Sequence, residues 1–158
     1  KNKFTCYIAN DNSAGQVVIS GKTNSIELFC AELNRKNFKF IKLPVSSPFH
    51  CPLMSKATHE MKNKINNTEF KNPIVNIISN VTANPTDSSI EIKKLLIDQI
   101  EKPVRWRESV NNMIKSKVNH FIEVGPGKVL SGLVKRIDRN VKLNQVNTFE
   151  DIKNLLND

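Results

Sequence analysis

Pro44-Val-Ser-Ser-Pro-Phe-His-Cys-Pro-Leu-Met54 ends an apolar, strand-like run from Phe38 to Val45 and sets three prolines around a single histidine, His50. Each proline fixes its own φ near −65° and pushes the residue before it out of the helical region, so Pro48 and Pro52 restrict the backbone around His50. Directly downstream, Leu53, Met54, Ala57, Met61 and Ile65 recur at helical spacing, so the corner leads into an amphipathic helix. An imidazole on a stiff strand-to-helix corner suits general-base chemistry, because it titrates near working pH and the turn fixes its aim. The same position also suits a half-buried histidine that serves packing alone.

Upstream of the corner, Phe4 to Ala9 and Gln16 to Ser20 are β-rich runs around the turn cluster Asn10-Asp-Asn-Ser-Ala-Gly15, which predicts a hairpin. Thr23 or Asn24 is placed to cap a helix with Ile26, Phe29, Cys30 and Leu33 on one face and Glu27 in its first turn. Strand, strand, helix, strand is most of a ferredoxin-like βαββαβ unit without its first strand and helix. Downstream, Ile74 to Ser79 is a near-continuous apolar run expected to be a strand buried on both faces. Asn80 to Asp87 is a polar loop, and Ser88 or Ser89 opens a helix with a stripe of Ile92, Leu95, Leu96 and Ile100. Beyond Pro103, Trp106, Val110, Met113 and Ile114 mark another helix and His120 to Val124 a short strand. Gly125-Pro-Gly127 is a turn into a helix carrying Val129, Leu130, Leu133, Val134 and Ile137, with Lys135, Arg136 and Arg139 at its basic end. Asp151 to Leu156 is a terminal amphipathic piece. Alternation of strands and helices from residue 70 onward predicts a parallel sheet layer.

The 158 residues, 39% of them hydrophobic, suffice for one core, built here as two lobes. No run approaches the roughly 18 apolar residues of a membrane span, so a soluble chain is expected. The first residues include no initiator Met and run straight into a strand, the pattern of a piece of a longer protein. Three scattered cysteines without a C-x-x-C pair predict neither a disulfide framework nor a zinc ribbon, and suit a reducing compartment. A formal charge of +9 favours polyanionic partners. The basic stretches lack the aromatic interleaving of a single-strand binder, so no nucleic-acid partner is expected.

Five stretches in order then resemble one family, the malonyl-CoA:acyl-carrier-protein transacylases of type II fatty-acid synthesis and the related acyltransferase domains of polyketide synthases. They are Ile8-Ala-Asn-Asp-Asn-Ser-Ala-Gly-Gln-Val-Val-Ile-Ser-Gly21, Leu43 to Met54, Ser79-Asn-Val-Thr-Ala83, Gln99 with Lys102-Pro-Val-Arg-Trp106, and Glu123-Val-Gly-Pro-Gly-Lys-Val-Leu-Ser-Gly-Leu133. The resemblance implies that a serine takes malonyl from coenzyme A as an ester and passes it to the phosphopantetheine thiol of acyl carrier protein. By match, His50 is the base and the backbone carbonyl of Gln99 orients its other ring nitrogen, in place of a triad carboxylate. Asn12, and less directly Asn10, match the pocket-lining turn, although ordinary turn chemistry also favours Asn there. Phe49 resembles the bulky neighbour of malonyl-selective members, a lean worth only about 1–3 kcal/mol against methylmalonyl. Neither a metal nor a tightly bound cofactor is implied.

The family's G-H-S-x-G nucleophile elbow, its carboxylate-clamping arginine and its G-Q-G oxyanion motif do not occur in the sequence. The expectation is therefore an α/β chain with a partial ferredoxin-like small lobe over residues 1–46 and part of an α/β-hydrolase-like large lobe over residues 47–158. It would carry the base but not the nucleophile, act with a missing N-terminal half, and work in a bacterial cytoplasm or an organellar matrix. The competing expectation is a non-catalytic interaction module that complements such a half or binds carrier protein. Within the chain, Ser46 and Ser47 lack an elbow, Cys51 reads as a buried thiol, and His50, Cys51 and His59 lack metal-ligand spacing. Gly125 to Gly127 suits either an anion cradle or a tight turn. Arg105, Lys135 and Arg136 suit either docking charges for acidic partners or a solvated basic face.

Overall fold

A computed structural model describes residues 4–157. β1 (Cys6–Ser13) and β2 (Gln16–Gly21) form the expected antiparallel hairpin, closed at Ala14-Gly15 with Gly15 at φ 82°. The turn is shorter than the Asn/Asp cluster suggests. Register shifts between Ile8 and Asn10 and between Asp11 and Ser13 make Ala9 and Asn12 bulge residues, which keep the polar segment within the strand. α1 (Thr23–Arg35) follows, and its Phe29 ring meets Phe4 edge-on at 5.8 Å. The expected cap is absent: Lys22 stands at the N-cap, no side chain bonds there, and Glu27 lies beyond the first turn.

Phe38 to Val45 is not the predicted strand. It finds no ladder partner among the described residues, and a strand without one leaves its N–H and C=O groups to water. Its side chains stay exposed, Ile41 to 87%. The His50 corner then enters a 3-10 turn (Pro52–Met54) and α2 (Ser55–Asn67) as expected. The second predicted strand is corrected too: in 74–79 only β3 (Ile77–Ile78) is ordered as strand, paired antiparallel with β4 (Pro85–Thr86). Far from buried on both faces, Ile74 is 100% and Val75 69% exposed.

α3 (Ser89–Gln99) is capped by the Ser88 hydroxyl, which accepts from the Glu91 N–H, and buries Leu95. α4 (Trp106–Lys115) buries Val110 and packs on β1 and on α5 (Val129–Ile137). β5 (His120–Val124), α5 and β6 (Lys142–Val146) make one βαβ unit with a parallel ladder, His120 opposite Lys142 through Val124 opposite Val146. The parallel layer expected from residue 70 is thus confined to these two strands. α6 (Phe149–Asn157) closes the chain. Buried Ala9, Val110, Leu133 and Val134 come from β1, α4 and α5, so the core lies where the hairpin meets those helices.

Candidate active site

Proline restriction acts on the neighbours of His50, and the histidine itself adopts what it leaves open. Cys51, before Pro52, is extended at φ −149°, ψ 166°, whereas His50 takes the left-handed conformation at φ 58°. Short-range bonds close the corner: Phe49 N–H donates to the Ser47 carbonyl at 3.0 Å, Met54 N–H to that of Cys51 at 3.0 Å, and the Cys51 thiol to that of Pro48 at 3.1 Å. Cys51 is fully buried, a structural thiol whose sulfur is already engaged.

His50 and Gln99, 49 residues apart, meet directly, with Nδ1 2.9 Å from the Gln99 carbonyl oxygen. A carbonyl only accepts, so Nδ1 carries the proton and Nε2 is left with its lone pair free. Gln99 is the last residue of α3, and its carbonyl is among those that a helix leaves without an intrahelical partner. The Gln99 amide lies 3.4 Å from Nδ1, but two donors cannot bond each other; the amide instead donates to the Lys102 carbonyl at 2.9 Å and braces the turn after α3.

The hairpin is tied to both sides of this contact. Val104 N–H donates to the Ala9 carbonyl at 2.8 Å and its own carbonyl accepts from Asp11 at 2.9 Å, while the Ser20 hydroxyl donates to the Phe49 carbonyl at 2.7 Å. Arg107 on α4 pairs with Asp11 at 2.7 Å. Asn10 and the bulged Asn12 lie half-buried on β1, and among the described residues no hydrogen bond links either side chain to His50. Phe49 is 47% exposed. Ser46 and Ser47 make no contact with the imidazole among the described hydrogen bonds.

Two sequence alternatives resolve here. Arg105 is not a free docking charge: its guanidinium bonds both Glu108 oxygens and donates to the Val81 and Thr82 carbonyls at 3.1 and 3.2 Å. It thereby holds the Asn80-to-Asn84 loop, where Ala83 is buried at φ 58°. Gly125 to Gly127 is a turn and not an open anion cradle, because Glu123 occupies the N-terminus of α5 and accepts from Leu130 at 3.0 Å and Ser131 at 2.7 Å. The Ser131 contacts, above all, hold the Glu123 carboxyl below the usual carboxylate range. Sequence reasoning missed Ser20, Val104 and Arg105 as organisers of the site, although all three lie inside quoted motifs. Arg136 bonds the Gln16 side chain, and Lys135 stays exposed.

The sequence profile described as "Acyl transferase domain" matches residues 3–150. The chain belongs to the acyl transferase domain family. It is 43% identical over 148 residues to the malonyl CoA-acyl carrier protein transacylase of Bacillus subtilis (strain 168), covering 92% of this chain and 46% of that protein. A Staphylococcus aureus (strain MSSA476) protein of the same name is 38% identical over 146 residues, with 92% and 47% covered. Among solved structures, the acyl-carrier-protein-S-malonyltransferase of Bartonella henselae superposes with a TM-score of 0.91 at 40% identity, over 96% of this chain and 49% of that one. The Clostridium perfringens transacylase gives 0.89 at 35%, with 98% and 49% covered. This acyl transferase chain is a mixed α/β structure that spans about half the length of these relatives.

Proposed function

We propose that this chain is the base-bearing portion of a malonyl-CoA:acyl-carrier-protein transacylase, with the serine nucleophile supplied from outside it. The observation that carries the reading is the 2.9 Å contact between His50 Nδ1 and the Gln99 carbonyl, because it leaves Nε2 free to accept a proton. Nε2 takes the serine proton as the serine oxygen attacks the malonyl thioester carbon. Collapse of the tetrahedral species breaks the C–S bond, and the imidazolium returns the proton to the departing coenzyme A sulfur. In the second half, Nε2 takes the proton of the carrier's phosphopantetheine thiol, whose sulfur attacks the malonyl ester, and the serine leaves with that proton. The reaction is proton transfer and acyl exchange throughout, so no resident cofactor is invoked.

Phe49 adjoins the base and is assigned to the acyl pocket with Asn12 and Asn10, its ring disfavouring a 2-methyl substituent. Residues 1–46 are read as a ferredoxin-like small lobe and 47–158 as part of an α/β-hydrolase-like large lobe. In a ferredoxin-like sheet the last strand pairs with the first, which supports the reading of Phe38 to Val45 as a strand awaiting an upstream partner. Half-length coverage of the relatives and the exposed Ile41, Ile74, Val75 and Val124 support an N-terminal half as that partner. Three free cysteines fit a reducing bacterial cytoplasm or organellar matrix.

The test is malonyl transfer to carrier protein by this chain mixed with the nucleophile-bearing half of the Bacillus subtilis relative. His50→Ala is expected to lower the rate by about 10²–10⁴-fold, the span of a general base. An unchanged rate would refute the assignment. A complex that forms but transfers no malonyl would favour the non-catalytic module.

A further inference from the structure

We propose that Ser20 is a positioning residue for His50, its hydroxyl locking the peptide plane that sets the histidine's left-handed backbone. The Ser20 Oγ to Phe49 oxygen distance is 2.7 Å, across 29 residues of sequence. The φ of His50 is the rotation about its own N–Cα bond, and the Phe49 carbonyl carbon is the first of the four atoms that define it. Gripping that carbonyl oxygen therefore grips the dihedral itself. At φ 58° a residue with a Cβ is strained, and the relaxed alternative is a turn of the 49–50 peptide plane that returns φ to negative values. Where that turn is not fully compensated at ψ of Phe49 it tilts the Cα–Cβ bond, and the ring loses its line to the Gln99 carbonyl. Among the described residues, the Ser20 bond is the only hydrogen bond to either polar atom of the 49–50 peptide.

Ser20 is well placed for this work because it sits on a strand. It faces Tyr7 in the hairpin ladder, and the other strand of that hairpin bonds Val104, five residues beyond Gln99. One rigid hairpin thus fixes the Phe49 side and the Gln99 side of the His50 contact relative to each other. Sequence alone places Ser20 in a strand and says nothing of a partner 29 residues away.

The inference rests on His50 as the base, and the test separates the two. In the ¹⁵N-histidine-labelled 158-residue chain, nitrogen–proton correlation at a pH where the ring is neutral reports which nitrogen of His50 holds the proton, with His50→Gln identifying the signal. The parent is expected to show the Nδ1–H form. Ser20→Ala and Ser20→Val are expected to lose at least half of that form to Nε2–H, while Ser20→Thr, equal in size to Val but with the hydroxyl, keeps it. With the nucleophile-bearing half added, Ala and Val are expected to lower kcat about tenfold with KM for malonyl-CoA unchanged, and Thr to restore it. If Ala fails to fold by circular dichroism, the Thr and Val pair decides, since both suit a strand. Parent-like Nδ1–H in Val, or equal loss in Thr and Val, overturns the proposal. A tautomer that responds to Ser20 while His50→Gln leaves transfer intact would instead overturn the base assignment and leave the positioning role standing.

Discussion

Among the described residues His50 has no carboxylate partner, so its orientation depends on backbone atoms that have few ways to move. The Gln99 carbonyl is held by the turn after α3, and that turn is held by Val104 on β1. Arg105, the next residue, works on the other side of this segment, with its N–H on the Asn80 carbonyl at 3.0 Å and its guanidinium on Val81 and Thr82. Arg105→Ala is expected to destabilise the chain by about 1–2 kcal/mol, read from the urea midpoint, because two part-buried carbonyls lose their donor. Lys135→Ala, which breaks no hydrogen bond or ion pair among the described residues, is expected to leave that midpoint unchanged; equal midpoints for both variants would contradict the structural role of Arg105. At Gly15, φ 82° favours a residue without a Cβ, and Gly15→Ala is expected to lower stability by about 1 kcal/mol in the same assay. The contact between His50 and Gln99 was legible through the family resemblance, because a proline-bracketed histidine and a Q-x-x-x-P-V-x-W segment are local patterns. The left-handed His50 and the grip of Ser20 were not, because they follow from contacts between segments far apart in the chain.

Helices were legible where a stripe and a cap coincide, as at Ser88 and α3, and strands where their partner lies close by. Phe38 to Val45 and Ile74 to Ser79 have the composition of strands, but composition reports suitability for a sheet and not the presence of a neighbour. β6, Lys142–Val146, escaped for the opposite reason: its Lys-Leu-Asn-Gln-Val is polar, and parallel pairing with β5 creates the strand. At the element scale, the Glu123 carboxylate caps α5 across the Gly125-Pro-Gly127 turn. Its folded pKa lies below the unfolded one, so its contribution to stability is complete above the unfolded value. That contribution fades as pH falls through the lower folded value. Asp151, bonded by the Asn147 and Thr148 N–H groups at the start of α6, follows the same sign. Glu123→Gln is expected to lower the urea midpoint at neutral pH and to flatten its decline in acid. A variant with the parent's acid slope would show that the cap does not carry it.

At the scale of the molecule, the buried core is small and the exposed apolar surface large. β5 shows the imbalance: Phe121 and Glu123 alternate with Ile122 and Val124, and Val124 is 77% exposed on a sheet of only two strands. A soluble chain rarely leaves so many branched side chains to water without a partner surface. If an N-terminal half covers them, the amides of residues 39–43, which make no backbone hydrogen bond among the described residues, are expected to exchange freely in the isolated chain and to become protected when that half is added. Unchanged exchange would argue against strand completion. A base that acts on a nucleophile outside the chain is tested by intact mass of both polypeptides after mixing with malonyl-CoA. The expected result is an unmodified 158-residue chain and a malonyl ester on the added half that forms rapidly with His50 present and disappears with His50→Ala. A malonyl adduct on this chain, or an ester indifferent to His50→Ala, would contradict it.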